Sequence, residues 1–416
     1  LNFNHDGGVP LSLAQTSADA AYGVFEYAAD PPQPASRPPK HAIARPNVAI
    51  VTLIAPDHLK SYQTLEGVAR QKAMLFDGLV QGGYAILNRD DEFFTYLRDA
   101  AYNKGVDRII SFGTHPEANV RALSVDMDRN GSHIRAVVGD ADVQYILAQP
   151  GHHMVMNSLA VLAGVYALGA DIRRAAADLA DFGGLPQRTE RHHIQIADGW
   201  MDLIDDSFST NPASVCAALA VLQLAGSSQN GRRIAVLGEM HELGDDSPRL
   251  HAGLAQAVLD AGVDRLFTIG DDMEHLREHL PPAMLGPHAS DGASLAAAVT
   301  QEVRAGDVVL VKGSLRTHHY TDPVVQSLLR QETQTGVKPF EYLPGTHSIT
   351  LDSGSRHQAQ RLEVLLVGDT SFGENYQAKN EARGAGNILR DKGYDYPLER
   401  MRRFLEHADL TIENMQ

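Results

Sequence analysis

Two short polar segments carry the residues best suited to chemistry in this chain. Residues 205–212 have the sequence D-D-S-F-S-T-N-P, and residues 238–244 have the sequence G-E-M-H-E-L-G. Each follows a short apolar run typical of a buried parallel strand, whose following loop opens toward the ligand side of the sheet. Acidic and amide side chains are concentrated there. The two segments therefore predict a polar ligand site in the second half of the chain.

Three further candidates lie in the first half of the chain. Glu26 closes a short β-rich run, His58 follows a predicted strand at 48–51, and Lys72 lies on a predicted helix at 64–79. A carboxylate such as Glu26 suits a hard cation. By residue type alone, a strand-end glutamate, a solvated or capping histidine and a solvated lysine are the more frequent interpretations.

Alternating strand and helix patterns position these candidates. Residues 1–190 alternate β-rich and amphipathic helical runs, which predicts a parallel or mixed sheet covered on both faces. In residues 191–330 three apolar runs each end in glycine and are followed by polar residues, as at the ligand edge of a Rossmann-like sheet. The expected class is α/β, in two main domains.

Composition excludes several kinds of partner. A length of 416 residues fits two to three domains, and the net charge of −16 argues against a nucleic-acid surface. The single cysteine, Cys216, excludes an internal disulfide and is expected to be a small apolar helix residue. No apolar stretch is long enough to span a bilayer. We expect small-molecule substrates and a monomer.

In order and spacing, the two polar segments resemble the C-terminal domain of the Mur ligases, which use ATP to join a carboxylate to an amino group. The branch that adds D-alanyl-D-alanine to the UDP-muramoyl peptide has D-D-S-Y-N-A-N-P and G-D-M-x-E-L-G there. The resemblance covers residues 1 to about 330. It implies a central domain at 1–190, truncated at its N-terminus, and a Rossmann-like C-terminal domain at 191–330.

The resemblance also implies a site for magnesium and ATP. Glu26 matches a magnesium-holding glutamate, and His58 matches a histidine that supports a second magnesium. Lys72 matches a lysine carbamoylated by carbon dioxide, which requires a neutral, desolvated amine. The matches implied for the nucleotide fall on Asn88, His153, Asn157, Arg188, Asp206 and Asn211. Among them, His153 and Asn157 would contact the adenine, Arg188 the phosphates and Asp206 the ribose.

Departures from the family pattern leave a rival interpretation open. Family residues are replaced at Leu53, Met154, Gln187, Phe208 and Leu315. Such drift also fits a degenerate, non-catalytic nucleotide-binding or scaffold protein. The 416 residues contain no G-x-x-G-K-[ST] phosphate-binding sequence. We therefore expect residues 1–416 alone to hydrolyse no ATP. Because the chain opens on Leu1 and stops at Gln416 just after a strand-like segment, we expect both ends to be cut from a longer protein.

A third unit is predicted after a polar linker at 331–361. Residues 362–416 resemble the opening of CapA-type capsule proteins, which are similar to metallophosphatases and occur in poly-γ-glutamate synthesis. That resemblance implies metal-ligand positions at Asp369 and Asn414. The expected activity is amide-bond formation through an acyl phosphate, in cell-wall or capsule peptide synthesis, in the bacterial cytoplasm. A capsule biosynthesis role for the third unit is the remaining alternative.

Overall fold

The computed structural model describes residues 8–16, 20–28, 40–226, 231–314 and 318–334. The chain divides into two compact units: residues 1–46 with 342–416, and residues 47–341. The described part of the first unit contains the helices α1 (Gly8–Gln15) and α2 (Lys40–Ala44).

Glu26 lies in the first unit, where the prediction of a strand ending at this residue is wrong. Residues 22–28 are irregular and Glu26 is exposed. A strand needs a neighbour to satisfy its backbone groups, and the described residues of this unit contain none. Placement of Glu26 beside the other predicted magnesium residues stays a prediction.

The second unit begins with a mixed six-stranded sheet in the order β1-β2-β3-β4-β5-β6. Neighbouring strands are parallel from β1 to β4 and antiparallel from β4 to β6. The strands are β1 (Val48–Val51), β2 (Tyr84–Asn88), β3 (Arg108–Gly113), β4 (Val120–Asp128), β5 (Gly131–Val138) and β6 (Ala141–Leu147).

Helices cover both faces of this sheet, as expected from its apolar strands. One apolar core includes residues of α6, and another joins α4 and α5 to the sheet. The helices are α3 (Leu59–Tyr62), α4 (Leu65–Ala73), α5 (Phe94–Asn103), α6 (His152–Ala167) and α7 (Ile172–Asp178). We call residues 47–182, which contain this sheet and its helices, the first lobe.

A second six-stranded sheet has the order β11-β10-β9-β12-β8-β7, parallel except for the edge strand β7. Its strands are β7 (Glu190–Ile196), β8 (Gly199–Asp206), β9 (Arg233–Gly238), β10 (Arg265–Ile269), β11 (Leu285–Ala289) and β12 (Val308–Lys312). The helices around it are α8 (Pro212–Ala225), α9 (Ser247–Ala252), α10 (Ala255–Asp260), α11 (Met273–Arg277), α12 (Gly292–Glu302) and α13 (His318–Gln334). Residues 183–334 form the second lobe.

Several boundaries differ from those predicted. The helix expected at 64–79 ends at Ala73 and continues as a 3₁₀ turn over Met74–Gly78. The helix expected from Met156 begins at His152, and α13 runs to Gln334, inside the predicted linker. The predicted metal positions Asp369 and Asn414 lie outside the described residues, with the rest of 335–416. Among the described helices, none combines the length and apolarity needed to cross a membrane.

Candidate functional site

A buried ion pair lies at the carboxyl edge of the second sheet. Asp206 ends β8 and Lys312 ends β12, and the parallel register places them side by side. Lys312 Nζ is 3.0 Å from Asp206 Oδ2, and the lysine side chain is 2% exposed. Nζ also donates to the carbonyl of Ser209. Burial lowers the pKa of Lys312, and the carboxylate of Asp206 opposes that shift.

The first lobe brings His153 to this pair. His153 lies in the first turn of α6, and Asp206 and Lys312 are both close enough to act on its charge. Burial lowers the pKa of His153, with Asp206 opposing and Lys312 adding to the shift. The arrangement joins a predicted adenine residue to a predicted ribose residue, one from each lobe.

Two buried polar atoms near this contact have no hydrogen-bond partner in the described part of the chain. They are Nδ1 of His153 and Oγ1 of Thr210. Thr210 follows the Ser209 carbonyl that binds Lys312. Buried polar atoms are almost always satisfied by protein, water or ligand. These atoms fit a polar ligand such as a nucleotide between α6 and β8.

Arg188 lies in the loop before β7, near the carboxyl edge of the second sheet. Its guanidinium carbon lies 4.0 Å from the centroid of the Phe208 ring. Two backbone N–H groups hold the loop in place. Thr189 N–H donates to Asp206 Oδ1 at 3.2 Å, and Phe208 N–H donates to the Gln187 carbonyl at 3.2 Å. Phe208 lacks a hydroxyl or charge, but it positions an exposed cation. Contact between Arg188 and ATP phosphates stays a prediction.

Asn211 and Asn157 take different positions. Asn211 caps α8, accepting from Ser214 N–H at 2.9 Å in a reciprocal capping box. Helix capping accounts for this residue without a ligand. Asn157 is exposed on α6, four residues after His153 and hence on the same face of the helix. The nucleotide roles predicted for both residues stay predictions.

At the carboxyl edge of the first sheet, Asn88 and Asp91 form hydrogen bonds within the protein. Asn88 Nδ2 donates to the Thr52 carbonyl at 2.9 Å, and Asp91 Oδ2 accepts from Ile54 N–H at 2.7 Å. Asn88 is only 6% exposed and Asp91 8%. These bonds brace the loop between β1 and α3, which carries His58. The observed role of Asn88 is thus support of that loop.

His58 is tied to the second lobe. Its Nδ1 atom contacts the Glu242 carboxylate, and the Lys60 N–H donates to the Glu242 carbonyl at 2.9 Å. His58 is the N-cap of α3, which packs against α4, the helix that carries the half-buried Lys72. Two of the three predicted magnesium residues therefore lie on neighbouring helices of one lobe.

His251 stabilises the loop that carries Glu242. By itself, this histidine suggests a surface residue, yet it is 0% exposed. Its Nε2 atom accepts from Met240 N–H at 2.9 Å, and Nδ1 is 2.8 Å from the Ser247 carbonyl. The histidine thereby joins residues 240 and 247 across the turn.

One group of potential metal ligands appears in the described ranges that sequence reasoning did not find. Ligand atoms of Glu190, His192 and Asp205 lie within 4.8 Å of one another. Existing bonds account for the carboxylates: Ser207 donates to Asp205, and Gln187 N–H donates to Glu190. Burial raises the pKa of Asp205. The antiparallel pairing of β7 with β8 creates this juxtaposition, which is not visible in sequence.

Comparison with known proteins matches both lobes to one family. Residues 1–165 match the Mur ligase middle domain, and residues 187–315 match the Mur ligase, glutamate ligase domain. The UDP-N-acetylmuramoyl-tripeptide–D-alanyl-D-alanine ligase of Escherichia coli is 29% identical over 315 residues, which are 75% of this chain and 67% of that protein. The ligase of the same name from Mycobacterium leprae is 30% identical, over 75% of this chain and 64% of its own length.

Solved structures agree with the sequence matches. A crystal structure of MurF from Acinetobacter baumannii superposes with a TM-score of 0.69 at 25% identity. The superposition covers 79% of this chain and 69% of that one.

Proposed function

Because residues 1–165 and 187–315 are the middle and glutamate ligase domains of a Mur ligase, we propose that the chain supplies the two catalytic lobes of an ATP-dependent ligase. The reaction would form a carbon–nitrogen bond between a carboxylate and an amine. The names of the relatives suggest a UDP-N-acetylmuramoyl tripeptide as acceptor and D-alanyl-D-alanine as the incoming dipeptide. By the same resemblance, we place this activity in peptidoglycan synthesis in the bacterial cytoplasm.

One observation carries the proposal: the motif residues of the two lobes meet. His58 contacts Glu242, and the charges of Asp206 and Lys312 in the second lobe act on His153 of α6. A degenerate scaffold has no need to keep a buried lysine–aspartate pair beside unsatisfied polar atoms. Desolvating such a pair is costly.

The residues of the chain have separable tasks in this proposal. Asp206 and His153 would hold the nucleoside, and Arg188 would reach the phosphates from its aromatic support. His58 and carbamoylated Lys72 would help to hold magnesium, which would supply the positive charge that neutralises the phosphates. Closure of the second lobe on the first would exclude water from the activated carboxylate.

Phosphate release dependent on both substrates tests the proposal. The assay uses the 416-residue chain and, separately, the chain extended by its upstream coding sequence, because residues 1–416 contain no G-x-x-G-K-[ST] sequence. We expect turnover in the extended protein only. Lys72→Ala should lower it by at least about a hundredfold, since electrostatic clamps commonly supply that much. Lys104→Ala is the control, because Lys104 pairs with Asp77 on the surface.

The rivals predict different outcomes. A degenerate scaffold predicts no acceptor-dependent phosphate release from any form of the protein. Turnover in the extended protein that is equally insensitive to Lys72→Ala and Lys104→Ala would remove Lys72 from the site and keep the ligase.

A further inference from the structure

We propose that Glu242 is a positioning residue that latches the second lobe onto the first and fixes the orientation of His58. The inference deepens the proposed function, since the use of His58 beside the phosphates rests on that function. The latch itself rests on contacts within residues 47–341, which form one compact unit.

Glu242 uses both its side chain and its backbone to reach the first lobe. Its carboxylate contacts His58 Nδ1, and its carbonyl accepts from the Lys60 N–H at 2.9 Å. Both bonds reach the start of α3, because His58 is the N-cap of this helix and Lys60 lies in its first turn. One residue of the second lobe thus satisfies a side chain and an otherwise open helix N–H of the first.

The backbone on both sides of the contact is in an unusual conformation. Glu242 has φ 61° and His58 has φ 54°, in the left-handed region that side chains other than glycine rarely adopt. Gly244 follows with φ 63°, and a Cβ there would lie 3.5 Å from the Cα of Lys60. Strained residues persist when surrounding contacts determine them, and they cluster at functional and switching sites. Here the strained residues are the ones that touch.

The contact has a chemical consequence for His58. An ionised carboxylate only accepts hydrogen bonds, so the Glu242 contact places the ring proton on Nδ1. Nε2 then keeps its lone pair and faces away, 3.8 Å from Asp57 Oδ1. An imidazole oriented in this way can accept from a water of a hydrated cation, and magnesium usually keeps several waters. Glu242 would therefore complete the site only when the lobes are closed.

Hydrogen–deuterium exchange tests the latch without any substrate. In the 416-residue chain, the Lys60 amide is protected by the Glu242 carbonyl. Glu242→Ala should speed exchange of the peptide covering residues 58–62 by about tenfold or more, because local opening exposes that amide. Glu242→Gln retains an acceptor oxygen and should stay within about twofold of the parent chain. Glu274→Gln, an exposed change elsewhere in the second lobe, should have no effect.

Three results would overturn the proposal: unchanged exchange at residues 58–62 in Glu242→Ala, equal acceleration in Glu274→Gln, or acceleration that extends to the core of α8. The last would indicate loss of the fold.

Kinetics of the extended protein separate positioning from binding. Glu242→Ala should lower kcat about 10- to 100-fold, the range typical for residues that orient a metal-site histidine. The KM for ATP should change much less, and Glu242→Gln should recover part of kcat. A raised KM with unchanged kcat would overturn the orienting role. If no form of the protein turns over, the proposed ligase function fails, while the exchange result still decides whether the latch exists.

Discussion

Two of the regions where the lobes of the larger unit come together differ in burial. At one, His153 approaches the Asp206–Lys312 pair, whose lysine side chain is 2% exposed. At the other, His58 and Glu242 meet with 32% and 28% of their side chains exposed. Removing one partner of a buried charge pair costs several kcal/mol, whereas exposed pairs contribute little. The Asp206–Lys312 pair therefore belongs to the stable fold of the second lobe, and we expect the half-exposed His58–Glu242 contact to be where the lobes separate.

The largest expected effect comes from breaking the buried pair. Asp206→Asn leaves the Lys312 ammonium in a site that excludes water, so the free energy of unfolding should fall by about 3 kcal/mol. Urea titration followed by Trp200 fluorescence measures this change, because Trp200 is the only tryptophan and lies on β8, the strand that ends at Asp206.

Two matched variants control this measurement. Asp202→Asn alters a half-exposed carboxylate on the same strand, paired with His193, and should cost less than about 1 kcal/mol. Asp206→Asn combined with Lys312→Met removes both charges and should recover most of the loss. Equal losses of unfolding free energy in Asp206→Asn and Asp202→Asn would show that burial of the Asp206–Lys312 pair adds no stability.

A smaller loss of stability is expected at low pH, near the contact between Glu242 and His58. His251 supports the loop that carries Glu242, and burial lowers its pKa below the ordinary value of about 6.5. Ser247, Asp272 and Glu239 oppose this shift, and His275 adds to it. The unfolded chain therefore binds the proton first as pH falls. Stability is fully present above about pH 6.5 and is lost below it, by up to about 1.4 kcal/mol per pH unit.

Comparing the pH dependence of the unfolding free energy between variants isolates the contribution of His251. His251→Gln keeps an acceptor for Met240 N–H but does not titrate, so its unfolding free energy should fall less steeply between pH 7 and 5. His279→Gln, at an exposed residue in the turn after α11, is the control. After correction for the intrinsic pH dependence of amide exchange, protection of residues 58–62 should fall on acidification in the parent chain only. Parallel profiles for the parent chain and His251→Gln would contradict a buried neutral imidazole at this position.

Sequence predicted the sheets better than the contacts between them. Apolar runs located β1 and β12, because buried parallel strands are apolar on both faces. The antiparallel strands β4 to β6 were missed, because they expose one face and alternate with polar residues. For the site, motif spacing indicated Asp206 and His58. The partners of these residues depend on how the lobes pack, which a linear pattern does not encode.

Asn88 shows a second limit of prediction from sequence, because its hydrogen-bond partner could not be predicted. The family resemblance implied a nucleotide contact for Asn88, and in the structure its Nδ2 atom donates to a loop carbonyl; the nucleotide contact stays a prediction. Polar residues at a strand end serve either a ligand or the loop that positions the ligand. The two roles have the same sequence signature, so hydrogen bonds must separate them.

The smallest expected effect concerns Arg188, which lies at the buried contact but is itself exposed. Its guanidinium stacks on Phe208 at 4.0 Å, and exposed cation–π pairs contribute about 0.5 to 1 kcal/mol. A double-mutant cycle with Arg188→Gln and Phe208→Leu should give that coupling energy by urea unfolding. Phe208→Tyr keeps an aromatic face and should keep the coupling. A coupling energy near zero would mean that the Phe208 ring does not hold the Arg188 side chain. The buried Asp206–Lys312 pair would then give no added stability to the exposed arginine near it.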